Sequence, residues 1–260
     1  MKSFLSTLQL LLTASAAGGA LANVDIVGGS NARITDFPYQ VSIQQSGHKC
    51  GGTILDANHI LTAAHCVSNN LDNPFRLRVR AGSAQHASGG TLVRVSRIIS
   101  HPNYDAVTVA NDVAVLRLAR SLEFGSTIAP VQLPSSESDM PATGDRCSVT
   151  GWGVMSAGSG SLPSSLIVAY VNIIDHEQCV QAHADRNPVD DNMICAGVRG
   201  GRKDACQGDS GVPLVDTVSG RQVGVVSWGF GCGRAGQGGV YASTAAYLGW
   251  IREAVLLELL

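Results

Sequence analysis

Asp204-Ala205-Cys206-Gln207-Gly208-Asp209-Ser210-Gly211 is the stretch on which the fold of this chain turns. It sets a serine between an acid and a glycine, with another glycine two residues before it. A serine hydroxyl is a weak nucleophile at neutral pH. It needs a base within hydrogen-bond reach, and the base needs a partner that fixes its tautomer. Two upstream segments supply both: Thr62-Ala63-Ala64-His65-Cys66 carries an imidazole, and Asn111-Asp112, before the apolar run Val113 to Leu116, carries a carboxylate. One histidine among 7, or one aspartate after an asparagine, is ordinarily a surface or turn residue. The joint occurrence of the three segments, in the order His, Asp, Ser, points further. That order is one of several in which unrelated folds assemble an acyl-transfer triad. Ser210 is then the nucleophile, His65 the general base and later acid, and Asp112 the orienting carboxylate.

The wider composition agrees with an extended fold. Of 260 residues only 15% are charged and 30 are glycine, a lightly charged, turn-rich make-up typical of all-β proteins. A net charge of −2 is too near neutral to argue for nucleic acid or an anionic membrane as partner. Runs such as Val41-Ser42-Ile43, Leu77-Arg78-Val79 and Val223 to Val226 read as antiparallel strands between turn signals. The Ser- and Pro-rich passage from Ser121 to Gly144 separates two halves. Only the tail, Ala245 to about Leu257, has the spacing of a helix, with Tyr247, Leu248, Ile251, Val255 and Leu256 as its buried stripe. The pattern alone gives an all-β barrel or sandwich with a terminal helix.

Residues 1–22 read as a signal peptide. Lys2 precedes an apolar stretch around Leu8 to Leu12, and Ala20-Leu21-Ala22 is a cleavage pattern. The apolar stretch is too short for a membrane anchor. Secretion makes the seven cysteines readable as disulfides with one left over, although sequence alone leaves their connectivity open.

With these motifs in the family order, the chain from Ile26 onward resembles the trypsin-like serine proteases of the chymotrypsin family; its short propeptide and lean loops are similar to secreted fungal trypsins. The resemblance implies two six-stranded antiparallel β-barrels packed side by side, over residues 26–131 and 132–244, with a C-terminal helix over 245–260 and the active site in the cleft between the barrels. It implies disulfides Cys50–Cys66, Cys179–Cys195 and Cys206–Cys232, each contributing roughly 2–4 kcal/mol. Cys147 is left as a free thiol, because relatives with a cysteine there have its mate where this chain has Asp216; a buried, inert thiol is expected in preference to an intermolecular bridge. The N–H groups of Gly208 and Ser210 form the oxyanion hole. Asp204 floors a pocket for a cationic Arg or Lys side chain, walled by Ser227-Trp228-Gly229 and Gly238-Gly239, with Gln207 also on the substrate. Ala205 stands where trypsins often carry serine. That change favours Arg over Lys, since the guanidinium fork reaches the carboxylate directly.

The segment Ile26-Val27-Gly28-Gly29 resembles the N-terminus freed on activation, whose ammonium pairs with Asp209. Residues 23–25 are then a short propeptide. The bond to be cut follows Asp25, an acid that an Asp204 pocket repels, so a separate activating protease is expected. Relatives that bind calcium use acids in the loop corresponding to Ala81 to Gly90, which here has no Asp or Glu, so no calcium site is expected in it; no other metal and no cofactor are expected, and His86 is expected to be exposed. The expected partners are protein or peptide substrates and protein protease inhibitors, and the enzyme is expected to be a monomer. One departure stands out: the family usually reads GDSGGP, and here Val212 replaces the second glycine. A valine held at positive φ would be strained. This is the one feature that favours the alternative, a catalytically silent homologue acting as a binding module.

Overall fold

Alternating β-branched residues build the first half. In β2 (Gln40–Gln44), Val41 and Ile43 are fully buried, and in β5 (Arg78–Ala81) burial alternates residue by residue, as a strand with one face on a core requires. The computed structural model describes residues 29–154, 161–198, 200, 208–229 and 238–256. With β3 (His48–Ile54), β4 (His59–Thr62), β6 (Thr91–Ser100) and β7 (Ala114–Leu118), these strands close a six-stranded antiparallel barrel in the order β2-β3-β4-β7-β6-β5. The chain leaves it at Leu118 and enters the second barrel at Arg146.

The second barrel comprises β8 (Arg146–Gly151), β9 (Ile167–Ile174), β10 (Met193–Gly197), β11 (Pro213–Asp216), β12 (Gln222–Trp228) and β13 (Gly239–Ser243). The pairing of β8 with β9 closes it, and the short β1 (Ser30–Asn31) adds to the outer part of β9. Closure leaves neither barrel an unpaired edge. The two barrels and the terminal helix are the architecture that the resemblance implies; the pattern alone leaves barrel and sandwich open.

Two helices differ from expectation. The terminal α2 spans Leu248–Leu256 and buries Leu248, Ile251 and Ala254, with Tyr247 just before it, while Leu256 is 59% exposed instead of buried. Its apolar face packs on the first barrel's core, so the end of the chain clamps the half made first. A second helix, α1 (His176–His183), has no strong apolar stripe, and only Cys179 and His183 are buried. Its start is legible in hindsight: Asp175 caps it by accepting a hydrogen bond from Gln178 N–H at 3.1 Å, the Asp-x-x-Gln spacing of a capping box. Among the described residues no helix is long and apolar enough to cross a membrane.

Candidate active site

His65 sits in a single 3₁₀ turn, Ala64–Cys66, directly after β4. The Cys50–Cys66 disulfide, with a Cα separation of 6.1 Å, ties this turn to β3. Asp112 lies just before β7, the neighbour of β4 in the barrel. The preceding Asn111 has φ +55°, a left-handed conformation that asparagine tolerates. It is held there by its amide donating to Asn103 O at 2.9 Å and by Tyr247 Oη donating to its Oδ1 at 3.3 Å. That turn aims Asp112 inward.

The Asp112 carboxylate is almost wholly buried and grips His65 at two points. Oδ1 accepts the His65 backbone N–H at 2.8 Å, and Oδ2 is 2.7 Å from His65 Nδ1. Ser227 Oγ, from the second barrel, donates to the same Oδ2 at 2.6 Å. A carboxylate only accepts, so Nδ1 carries the proton and Nε2 keeps its lone pair. The imidazole remains 29% exposed, with Nε2 3.7 Å from Cys66 Sγ.

Ser210 occupies the turn before β11. Gly208 and Gly211 on either side have φ +97° and +80°, values that exclude an ordinary side chain. A Cβ on Gly211 would meet Thr62 Oγ1 at 2.3 Å and Gly51 O at 2.7 Å. The turn is pinned from both barrels: Gly51 N–H donates to Ser210 O (2.8 Å), Gly211 N–H to Val226 O (2.8 Å) and Val212 N–H to Asp209 O (3.0 Å). Among the described residues the N–H groups of Gly208 and Ser210 donate to no carbonyl. Ser210 Oγ and His65 Nε2 are not hydrogen-bonded to each other, a contact that often tightens only with substrate.

Val212 resolves the point raised by the sequence. Its φ is not positive; among the described non-glycine residues only Val109 and Asn111 have a positive φ. The side chain is fully buried at the junction of the barrels, in space left by two glycines. A Cβ on Gly51 would lie 2.1 Å from Val212 Cγ1, and one on Gly151 3.2 Å from it. The feature that favoured a silent homologue is therefore ordinary packing.

Asp209 is fully buried, its Oδ1 accepting Gly153 N–H at 2.7 Å. Gly151 and Gly153 make room for it, since a Cβ on either would fall 2.1 Å from a carboxylate oxygen. Its expected partner Ile26 lies outside the described residues, as do Asp204, Ala205, Gln207 and the Cys206–Cys232 pair. The described residues of the expected pocket walls do run together: Trp228 is in register with Val240, and a Cβ on Gly229 would sit 3.6 Å from Gly239 Cα. The Cys179–Cys195 disulfide joins α1 to β10. Cys147 is a free, buried thiol, paired across the β8–β11 ladder with Asp216. Burial, and then the charges of Asp216 and Asp145, push it up to about 12, leaving it unreactive.

Two histidines of the site have no sequence signal. His48 Nε2 donates to Gly208 O at 2.9 Å, so its Nδ1 accepts the Ser42 hydroxyl at 2.8 Å. Burial lowers its pKa to about 4. His183, fully buried in α1, packs edge-on to Trp228 with ring centroids 5.1 Å apart, and its Nε2 is 3.2 Å from Gly238 O. The partners of both are far away in the chain, so local pattern cannot reveal them. His86 is half-buried instead of exposed. Its ring lies 5.4 Å from that of His48, and burial followed by the charge of Arg80 lowers its pKa.

A family model described as Trypsin matches residues 26–251. The chain is 44% identical over 251 residues to Trypsin alpha of Drosophila melanogaster, covering 95% of this chain and 94% of that protein. It is 45% identical to Trypsin beta of Drosophila erecta, with 95% and 96% covered, and 44% identical to Trypsin delta of Drosophila melanogaster at the same coverage.

Proposed function

We propose, from the premise that this chain belongs to the trypsin family of serine endopeptidases, that it is secreted and cuts protein chains after Arg or Lys, with Arg preferred. The observation that carries the chemistry is the double hold of Asp112 on His65, which leaves Nε2 as the base. Ser210 Oγ attacks the scissile carbonyl carbon as Nε2 takes its proton. The carbonyl oxygen becomes an oxyanion, which the N–H groups of Gly208 and Ser210, donating to no carbonyl among the described residues, receive. The C–N bond then breaks, and the amine leaves with the proton from Nε2. Water, deprotonated by the same nitrogen, attacks the acyl-serine ester, and the acid and the free hydroxyl are restored.

Asp204 supplies the charge that selects a cation, and Ala205 shifts the balance toward Arg. Pairing of an ammonium at Ile26 with the buried Asp209 makes activation a switch, since either partner alone is a stranded charge. Cutting after Asp25 falls to another protease. Residues 1–22 direct the chain out of the cell and are then removed, and the enzyme acts as a monomer.

The test is a cleavage-site profile on a denatured protein mixture. Arg, and less often Lys, is expected before nearly every cut, and Asp204→Ser is expected to abolish that preference. Cuts without a basic residue would overturn the specificity, and no cuts with Ser210 unlabelled by a fluorophosphonate would overturn the chemistry.

A further inference from the structure

The outer face of the first barrel carries charge that peptide hydrolysis does not use. Residues 76–120 hold seven arginines but only two acids, Asp105 and the buried Asp112. On β5, Arg78 and Arg80 point away from the core while Val79 and Ala81 fill it. The register sets Arg78 opposite Arg94 and Arg97 opposite Arg117. Like charges directly opposite across a ladder destabilise a sheet. Among the described residues Arg76, Arg78, Arg80, Arg94 and Arg120 form no ion pair.

One end of this face is concave. Arg78, Arg80, His86, Gln44 and Gln45 line a cleft of about 370 Å³ bounded by the β2–β3 hairpin and the loop before β6. Arg80 is fixed there by donating to Gly89 O, and its buried Nε has no acceptor. The cleft thus has donors on several sides and no acid among its lining residues.

We propose that this cleft and the arginine face beside it bind a sulfated polysaccharide, with one sulfate in the cleft and the polymer running along Arg78 and Arg94. Donors converging from several directions suit a tetrahedral, three-oxygen anion better than a planar carboxylate. The guanidinium forks bind such oxyanions in pairs. Outward side chains on neighbouring strands stand roughly 5–7 Å apart, a lattice that a repeating polyanion can follow. An acidic protein segment fits less well. The closed barrel offers no edge for strand addition, and no exposed large hydrophobic side chain on β5, β6 or β7 provides an anchor.

The mature enzyme is titrated with dextran sulfate, polygalacturonate, poly-glutamate and an oligothymidylate at about 0.15 M salt. Dextran sulfate is expected to bind at least tenfold more tightly than the other three. Arg78→Gln/Arg94→Gln is expected to weaken it at least tenfold, and the control Arg33→Gln/Arg252→Gln less than twofold, with hydrolysis of a small arginine ester unchanged in both. In the unmutated enzyme, dextran sulfate is expected to shield Arg78, Arg80 and Arg94 from phenylglyoxal, read by mass spectrometry. The proposal is overturned by equal losses in the two double variants, by shielding of arginines elsewhere, by absence of binding, or by any of the other polymers binding as tightly. The binding and shielding readings do not depend on the cleavage specificity; only the arginine-ester control does.

Discussion

Val212 and Gly51 are one packing decision written at two places in the chain. The valine, two residues past the nucleophile, fills the volume that the glycine leaves, and that volume lies between the barrels. Gly51→Ala should destabilise the protein by about 2 kcal/mol, because its Cβ meets Val212 Cγ1 at 2.1 Å and the junction cannot open without strain. Val212→Ala alone should cost about 2 kcal/mol through the cavity it leaves. The double variant should recover about 1–2 kcal/mol relative to the sum. Urea unfolding of all four proteins checks this, and strict additivity would refute it. Ser227 poses a chemical question at the same scale. Its hydroxyl donates at 2.6 Å to the oxygen that holds His65 Nδ1. Ser227→Ala should lower kcat about tenfold, the loss of roughly 1.4 kcal/mol of support for the imidazolium, with KM nearly unchanged. A change confined to KM would show that the hydroxyl serves the substrate instead.

At the scale of elements, α1 matters for what it presses on. It delivers His183 beneath Trp228 and Gly238, two of the residues expected to line the substrate pocket. Its start depends on the Asp175 cap. Asp175→Ala should cost about 1 kcal/mol, lowering Tm by about 2–4 °C for a protein of this size. KM should rise more than kcat falls, because the helix supports a wall and not the reacting atoms. A lowered Tm with unchanged KM would separate α1 from the pocket. The helix was hard to read because its apolar periodicity is weak, leaving the capping box as the main signal. The strands were easier, since Val41, Ile43 and Val79 alternate with residues that need not enter the core. The terminal helix is legible, but its stripe differs at the end: Ala254 is buried and Leu256 is exposed, because at 3.6 residues per turn Ala254 continues the face of Leu248 and Ile251 while Leu256 turns off it.

Across the whole molecule, the barrels are joined at the carbonyls of Ser210 and Gly208, which accept from Gly51 N–H and His48 Nε2 of the first barrel. The Nε2–H bond survives protonation, but Nδ1 accepts the Ser42 hydroxyl only while the ring is neutral, and burial lowers its pKa from 6.5 to about 4. The unfolded chain binds this proton near pH 6.5 and the folded one only near pH 4, so the unfolded state holds more protons in between. Stability from this group is therefore full above about pH 6.5, falls as pH drops toward 4, and is level below it. The shift corresponds to about 3 kcal/mol. Denaturation at pH 7 and pH 4 should show that much more loss in the wild type than in His48→Gln; equal losses would exclude His48 as the source.

What the sequence determined by itself was whatever needs only neighbours along the chain: the serine between glycines that permit its turn, the histidine beside its cysteine, the aspartate before a strand, and the alternation that builds barrels. These are local backbone and spacing requirements, and a linear string records them directly. Tertiary structure decided which groups meet: Ser227 on Asp112, His48 on Gly208, His183 under Trp228, Val212 in the hollow of Gly51. Such contacts join strands tens to more than a hundred residues apart. They depend on how two closed barrels abut, a geometry that no local pattern encodes.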